Sequence, residues 1–366
     1  MDRRIPLSNK DRAAVGLVAA VFVLASLSEI SSVVLAGEQN IMLNCTQQNQ
    51  ATTCVCEVSP AAEAVSTEIT DTAIMSESSS GITIQCPATN FEFVPSDTKS
   101  VCTAEANGGT LKECKESGKK TMKSPIQGLL TNVTDTNSPA WTETTDKDKK
   151  NHSLTFPTET FPLVDRTFFA GCSKTDQDLQ NGKECVVNVT VKARTSAVND
   201  GVLTCAYGTE SNSSVPEVTL NSGNNSLTIL CGNEGQMRPT KESFTAYHCA
   251  GSNTDGCTIA NLTEIMPGFA SSWWTTDEQN SNAPKLVIPA DGFPAQEETI
   301  VLGCNPNNNV TGTKRDEQGG ETTSANLPTC KVKLTLAAST SMSQAPSVSF
   351  RGLFVLVFVP PVLLGI

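Results

Sequence analysis

Fourteen cysteines, two histidines and one lysine-rich run are the residues of this 366-residue chain best equipped for chemistry. A blue-copper centre needs two His, one Cys and usually a weak axial ligand, but His152 and His248 fall in different halves of the chain. An even number of widely spaced cysteines in an oxidising compartment reads as a disulfide framework, and "CVC" (Cys54 to Cys56) is read the same way rather than as a thiolate metal site. Nucleophilic catalysis finds no motif: there is no G-x-S-x-G elbow and no H-E-x-x-H, and "SGKKT" (Ser117 to Thr121) lacks the glycine spacing of a phosphate-binding loop. Two histidines leave little material for general-base work, and both read as residues of surface loops. The expectation is a protein without catalytic residues, metal or cofactor; a secreted enzyme is the remote alternative.

The run "KECKESGKKTMK" remains, in which Lys112, Lys115, Lys119, Lys120 and Lys123 outnumber Glu113 and Glu116. Clustered lysines bind sulfated glycans as point charges, so these five are the candidate glycan-binding residues. Their surroundings oppose it: residues 37–195 hold 14 basic against 20 acidic side chains, and the whole chain carries −12. That balance excludes general nucleic-acid binding, which needs a positive footprint to displace counterions. The pair Trp273-Trp274 could serve as an exposed adhesive site, but a tryptophan buried beneath a loop is the plainer reading. Asn44, Asn132, Asn151, Asn188, Asn212, Asn224, Asn261 and Asn309 stand in Asn-x-Ser/Thr sequons, read as exposed polar loops and candidate N-glycosylation sites.

Both chain ends argue for an oxidising, surface context. Arg3, Arg4, Lys10 and Arg12 precede the apolar run Ala13 to Leu27, and small residues follow at "VLAG" (Val34 to Gly37), the layout of a secretory signal peptide over residues 1–36. A retained signal anchor is the alternative. At the other end "GLFVLVFVPPVLLGI" spans 15 residues. As a helix it would reach about 22 Å, short of the roughly 30 Å hydrocarbon core, and Pro360-Pro361 would break it. The small residues Ser339, Thr340 and Ser341 and a polar spacer precede it, as in a glycolipid (GPI) attachment signal over residues 339–366. Ser339 is the candidate attachment residue, with Ala338 and Ser341 beside it. Removal of both ends takes Arg3, Arg4, Lys10, Arg12 and Arg351 against Asp2, Asp11 and Glu29 and leaves −14.

The elements that would position these residues come from a duplication. "SLTFPTETFPLVDRTFFAGC" (Ser153 to Cys172) is echoed 132 residues later by "KLVIPADGFPAQEETIVLGC" (Lys285 to Cys304). "GITIQC" ending at Cys86 answers "SLTILC" ending at Cys231, and "CVVNVTVKART" from Cys185 answers "CKVKLTLAAST" from Cys330. Cys56, Cys86, Cys102, Cys114, Cys172 and Cys185 thus recur in order as Cys205, Cys231, Cys249, Cys257, Cys304 and Cys330, a period too long for a solenoid. In the strand-like "CVVNVTVKA", Val187, Val189, Val191 and Ala193 face one way and Asn188, Thr190 and Lys192 the other, the period-2 pattern of a half-buried strand. Prolines 157, 162, 289 and 294 fit edges and turns. Without a long amphipathic helix, the expected fold is all-β: two tandem β-sandwich domains over residues 37–195 and 196–338, joined near Arg194 to Asp200. Six cysteines allow fifteen pairings, and the sequence alone does not choose among them.

These sets, the two "FP…GC" phrases, "LTILCG" (Leu227 to Gly232), "VLTCAYG" (Val202 to Gly208) and "SSWW" (Ser271 to Trp274) resemble the surface-antigen (SRS) superfamily of Toxoplasma-like coccidian parasites, over roughly residues 54–366. The resemblance implies a cupredoxin-like sandwich in each domain and nested disulfides. Those are Cys56–Cys185, Cys86–Cys172 and Cys102–Cys114, then Cys205–Cys330, Cys231–Cys304 and Cys249–Cys257. Cys45 and Cys54 are surplus to the pattern, and either Cys54 or Cys56 could hold the first family position; adjacency along the chain favours a Cys45–Cys54 loop. The resemblance further implies a non-enzymatic coat protein that attaches to host cells, engages host immunity and antibodies, and often pairs as a homodimer. Its partners would be host-cell glycans or receptors and, through the lipid, the membrane. A C-terminal anchor makes the first domain membrane-distal and the second membrane-proximal. An immunodominant coat or decoy antigen without a specific ligand is the alternative.

Overall fold

The structure, a computed structural model, describes residues 40–59, 68–103, 110–116, 123–134, 136–175, 184–251, 256–307 and 326–339. The signal-peptide segment, the lipid signal beyond Ser339, Lys119, Lys120 and Asn309 lie outside the described residues. Those up to Thr160, with Thr167–Val191, form one compact unit; Phe161–Arg166, with those from Lys192 onward, form the other.

In the first unit, β1 (Asn40–Gln48), β2 (Ala51–Ser59), β4 (Gly81–Pro87), β9 (Lys149–Thr155) and β8 (Thr142–Asp146) make one sheet in the order β1-β2-β4-β9-β8. The second sheet runs β3 (Glu68–Met75), β11 (Glu184–Val191), β10 (Arg166–Lys174), β6 (Ser100–Cys102), β7 (Lys123–Pro125), with β5 (Phe91–Val94) also on β10. The parallel contact of β2 with β4 arises because the chain crosses to the other sheet as β3 before returning. The second unit repeats this plan. Its five-stranded sheet is β12 (Ala197–Asn199), β13 (Val202–Thr204), β15 (Ser226–Leu230), β20 (Ala283–Val287) and β19 (Trp274–Asp277). Its six-stranded sheet orders β14 (Glu217–Leu220), β22 (Cys330–Leu336), β21 (Glu298–Pro306), β17 (Thr245–Cys249) and β18 (Thr258–Asn261), with β16 (Gly235–Arg238) on β21. The described helices are short: α1 (Leu111–Lys115) in the first unit and α2 (Leu262–Ile265) in the second.

Alternation drives the layering. On β4, Ile82, Ile84 and Cys86 are buried while the intervening Thr83 and Gln85 are half-buried, and on β11 Val187, Val189 and Val191 are buried while Asn188 is exposed. Val186, on the other face of β11, is also buried, in a small cluster with Val94, Cys102, Leu111, Cys114 and Phe169. The sequence pattern missed this second layer because α1, not solvent, covers that face.

Seven disulfides staple the two units, and no cysteine is free. In the first, Cys56–Cys185 joins β2 to β11 and Cys86–Cys172 joins β4 to β10, so both bridges tie sheet to sheet. Cys205–Cys330 and Cys231–Cys304 do the same in the second. Cys102–Cys114 and Cys249–Cys257 close short loops, and Cys45–Cys54 crosses the β1–β2 hairpin. Cys54 takes Cys45 because the two are directly opposite in the hairpin ladder, which leaves Cys56 for β11.

The repeated Gly-Cys dipeptide has a packing role. A Cβ on Gly171 would lie 1.9 Å from the Cys185 carbonyl oxygen, and one on Gly303 would lie 2.0 Å from that of Cys330. In each unit the glycine lets its strand approach the backbone of the last cysteine, and the adjacent cysteine bridges to the opposite sheet.

Candidate functional site: a stapled lysine surface

The lysine run starts on α1. The Thr110 hydroxyl accepts the Glu113 N–H at 3.2 Å and caps the helix. Leu111 and Cys114, three residues apart, point into the outer cluster, and Cys114 is bonded to Cys102 at the end of β6. Lys112 and Lys115 therefore project outward and are exposed. Lys123 opens β7 directly opposite Cys102, so three of the five candidate lysines flank one disulfide.

The charge there is partly offset. The Lys115 ammonium pairs with the Glu92 carboxylate on β5. The Asp97 carboxyl is held below the usual range by the Ser100 hydroxyl at 2.7 Å, then the Lys99 N–H at 3.0 Å, with the charges of Lys123 and Lys99 adding to the effect. Exposed pairs of this kind contribute only about 0–1 kcal/mol and open readily to a competing anion. Sequence reading did not single out a second lysine group, Lys147, Lys149 and Lys150, at the β8–β9 turn; there Lys149 pairs with Glu57 at 2.6 Å. Interleaved Asp146 and Asp148 hid it.

Both histidines lie on strands, not in surface loops. His152 is buried on β9, a strand flanked by β4 and β8, its ring stacked on Phe93 at 4.1 Å and 9°. Its Nδ1 is 3.8 Å from Glu143, and its Nε2 has no hydrogen-bond partner among the described residues. Burial pushes the imidazole below its ordinary value, against the pull of Glu143. His248 on β17 meets Glu298 on β21 at 2.7 Å. Among the described residues no group of three or more His, Cys, Asp or Glu is placed to hold a metal.

Trp273 is buried in the core of the second unit, edge-on to Phe269 at 5.4 Å, and Gly292 leaves the space its ring fills. Trp274 is half-buried against the same core. Of the sequons, Asn44, Asn132, Asn188, Asn224 and Asn261 are exposed. Asn151 is half-buried in β9 with its Oδ1 enclosed, and half-buried Asn212 donates to the Ala206 carbonyl at 2.8 Å.

The segment Phe161–Arg166 is anchored within the second unit. The Leu163 carbonyl accepts the Tyr207 N–H, Val164 joins the core, and the Asp165 carboxylate accepts from Ala193 N–H, Thr209 N–H and the Thr209 hydroxyl at 2.8, 3.1 and 3.0 Å. Burial alone would raise the Asp165 carboxyl, but these donors outweigh it and hold it below the usual range. At the far end, Ser339 N–H donates to the Pro294 carbonyl at 2.7 Å, the last described hydrogen bond along the chain. No described helix is long and apolar enough to cross a membrane.

Two sandwiches of one topology, each tied sheet to sheet by two disulfides and carrying a third bridge on its periphery, with a fourth across the β1–β2 hairpin of the first, define a tandem, disulfide-stapled all-β protein. The SRS domain model matches residues 50–191 and again 201–336, and the chain belongs to that family of parasite surface antigens. Among solved structures it is similar to the bradyzoite-specific antigen BSR4 of Toxoplasma gondii, at 25% identity and a TM-score of 0.60, over 81% of this chain and 98% of that one. A weaker match is Plasmodium falciparum Pf12p, at 10% identity and a TM-score of 0.23, over 75% and 93% of the two chains. No curated protein matched.

Proposed function

We propose that this surface antigen is secreted through its N-terminal signal, anchored by a GPI lipid at Ser339, and mediates host-cell attachment through sulfated glycans bound at Lys112, Lys115, Lys119, Lys120 and Lys123. The observation that carries the binding role is the stapling of α1: Cys102–Cys114 and the buried Leu111 hold Lys112 and Lys115 outward on a fixed turn, with Lys123 across the bridge. A preordered cationic surface spends less side-chain and loop entropy on binding. Attachment at Ser339 would place the lipid on the residue whose N–H makes the last described hydrogen bond of the second domain, leaving the first domain outward for ligands and antibodies. Host immunity and a homodimeric partner belong to the same reading.

A second reading, a coat or decoy antigen without a specific ligand, is favoured by the Lys115–Glu92 pair and the acidic balance of the chain. A glycan array probed with soluble residues 37–339 separates the two. Attachment predicts salt-sensitive signal on sulfated glycans that soluble glycosaminoglycan removes; an array without sulfated hits leaves the coat reading standing.

A further inference from the structure

We propose that the Cys45–Cys54 bridge is a thiol–disulfide exchange site that takes a small-molecule thiol at Cys45. The second copy of the fold is built without a counterpart of this bond. Cys45 and Cys54 are directly opposite on β1 and β2, and Cys54 lies beside Ile84 of β4. In the second unit the matching positions on β12 and β13 are Val198 and Leu203, and Leu203 lies beside Ile229 of β15. Two residues further along the chain, Cys56 answers Cys205 and Cys86 answers Cys231, which fixes the correspondence. An ordinary apolar pair, Leu203 buried and Val198 packed against the core, serves where the first unit carries a bond.

Accessibility is the independent observation. Thirteen of the fourteen cysteines are buried; Cys45, on edge strand β1 with its N–H held by the Asp71 carboxylate of β3 at 2.7 Å, is half-buried. Exchange requires a thiolate to reach one sulfur and expel the other, so access selects the site. An external thiolate attacks Cys45 Sγ, the new S–S bond forms as the Cys45–Cys54 bond breaks, and Cys54 leaves as a thiolate that takes up a proton. A second external thiolate then releases the small-molecule disulfide and the Cys45 thiol, so two small thiols are oxidised as the bridge is reduced. Cys56–Cys185 and the β1–β2 ladder continue to hold the hairpin.

The test exposes the folded mature chain to millimolar glutathione, quenches with an alkylating reagent, maps the labelled peptides and follows far-UV circular dichroism in parallel. Cys45 and Cys54 should be labelled at least about tenfold faster than any other cysteine, with unchanged ellipticity, because the buried bridges react only after opening of their unit. Equal labelling at another bridge, or labelling of this pair only as ellipticity is lost, overturns the proposal. The double variant Cys45→Val/Cys54→Leu, which installs the pair of the second unit, should fold with the same ellipticity and lose the fast phase. Failure of that variant to fold would make the bond structural and also overturn it.

Discussion

Replacing Gly303 by alanine tests the role of the repeated Gly-Cys dipeptide. The added Cβ would meet backbone atoms only: the Cys330 carbonyl oxygen at 2.0 Å, Lys331 Cα at 2.8 Å and the Cys330 carbonyl carbon at 3.0 Å. Reaching an ordinary contact near 3.4 Å requires β21 and β22 to part locally by about 1.4 Å. The strands cannot relax by fraying, because Cys304, next to Gly303, is bonded to Cys231 and its ladder partner Cys330 is bonded to Cys205. Overpacking costs typically about 1–3 kcal/mol, and a contact with pinned backbone belongs at the upper end. For a unit of this size about 3 kcal/mol lowers the melting temperature by roughly 10 °C. Calorimetry on soluble residues 37–339 would read it, with Gly268→Ala as control, since a Cβ there meets nothing within 4 Å. A fall no larger than that of the control would refute the packing argument.

Three further outcomes follow from buried polar groups and from enclosure. Asp165→Ala strands the N–H groups of Ala193 and Thr209 and should destabilise the second unit by about 1–3 kcal/mol in urea titration. Because the folded Asp165 carboxyl is held below 3.8, its contribution is present above that value and is lost as pH falls through the lower folded value. His152 is held below 6.5, so stability of the first unit should be full above pH 6.5 and decline as pH falls towards the folded value, and His152→Phe should flatten that limb of a pH–denaturation series. Glycopeptide mass spectrometry should find Asn151 less occupied than the exposed Asn44 or Asn132, since it is half-buried within β9 with its Oδ1 enclosed.

The duplication made the fold readable, because each cysteine set is tied to a period-2 strand that survives in both copies, as in "GITIQC" and "SLTILC". What escaped depends on atoms distant in sequence. The clash that forbids a Cβ at Gly171 comes from Cys185 on the neighbouring strand. His152 reads as a surface-loop residue, yet it lies on β9 with the Phe93 ring stacked on it. The anchoring of Phe161–Arg166 in the second unit depends on Ala193, Tyr207 and Thr209, and no local pattern announces it. For the lysine surface, the run itself was visible, whereas Glu92 and Asp97, which offset Lys115 and Lys123, arrive from β5 and the turn before β6.

Heparin-affinity chromatography tests the attachment role most directly. Soluble residues 37–339 should be retained at low salt and elute earlier when Lys112, Lys115, Lys119, Lys120 and Lys123 are all replaced by glutamate, while Lys147→Glu/Lys149→Glu/Lys150→Glu shifts elution less. Unchanged retention in the five-lysine variant would contradict the account.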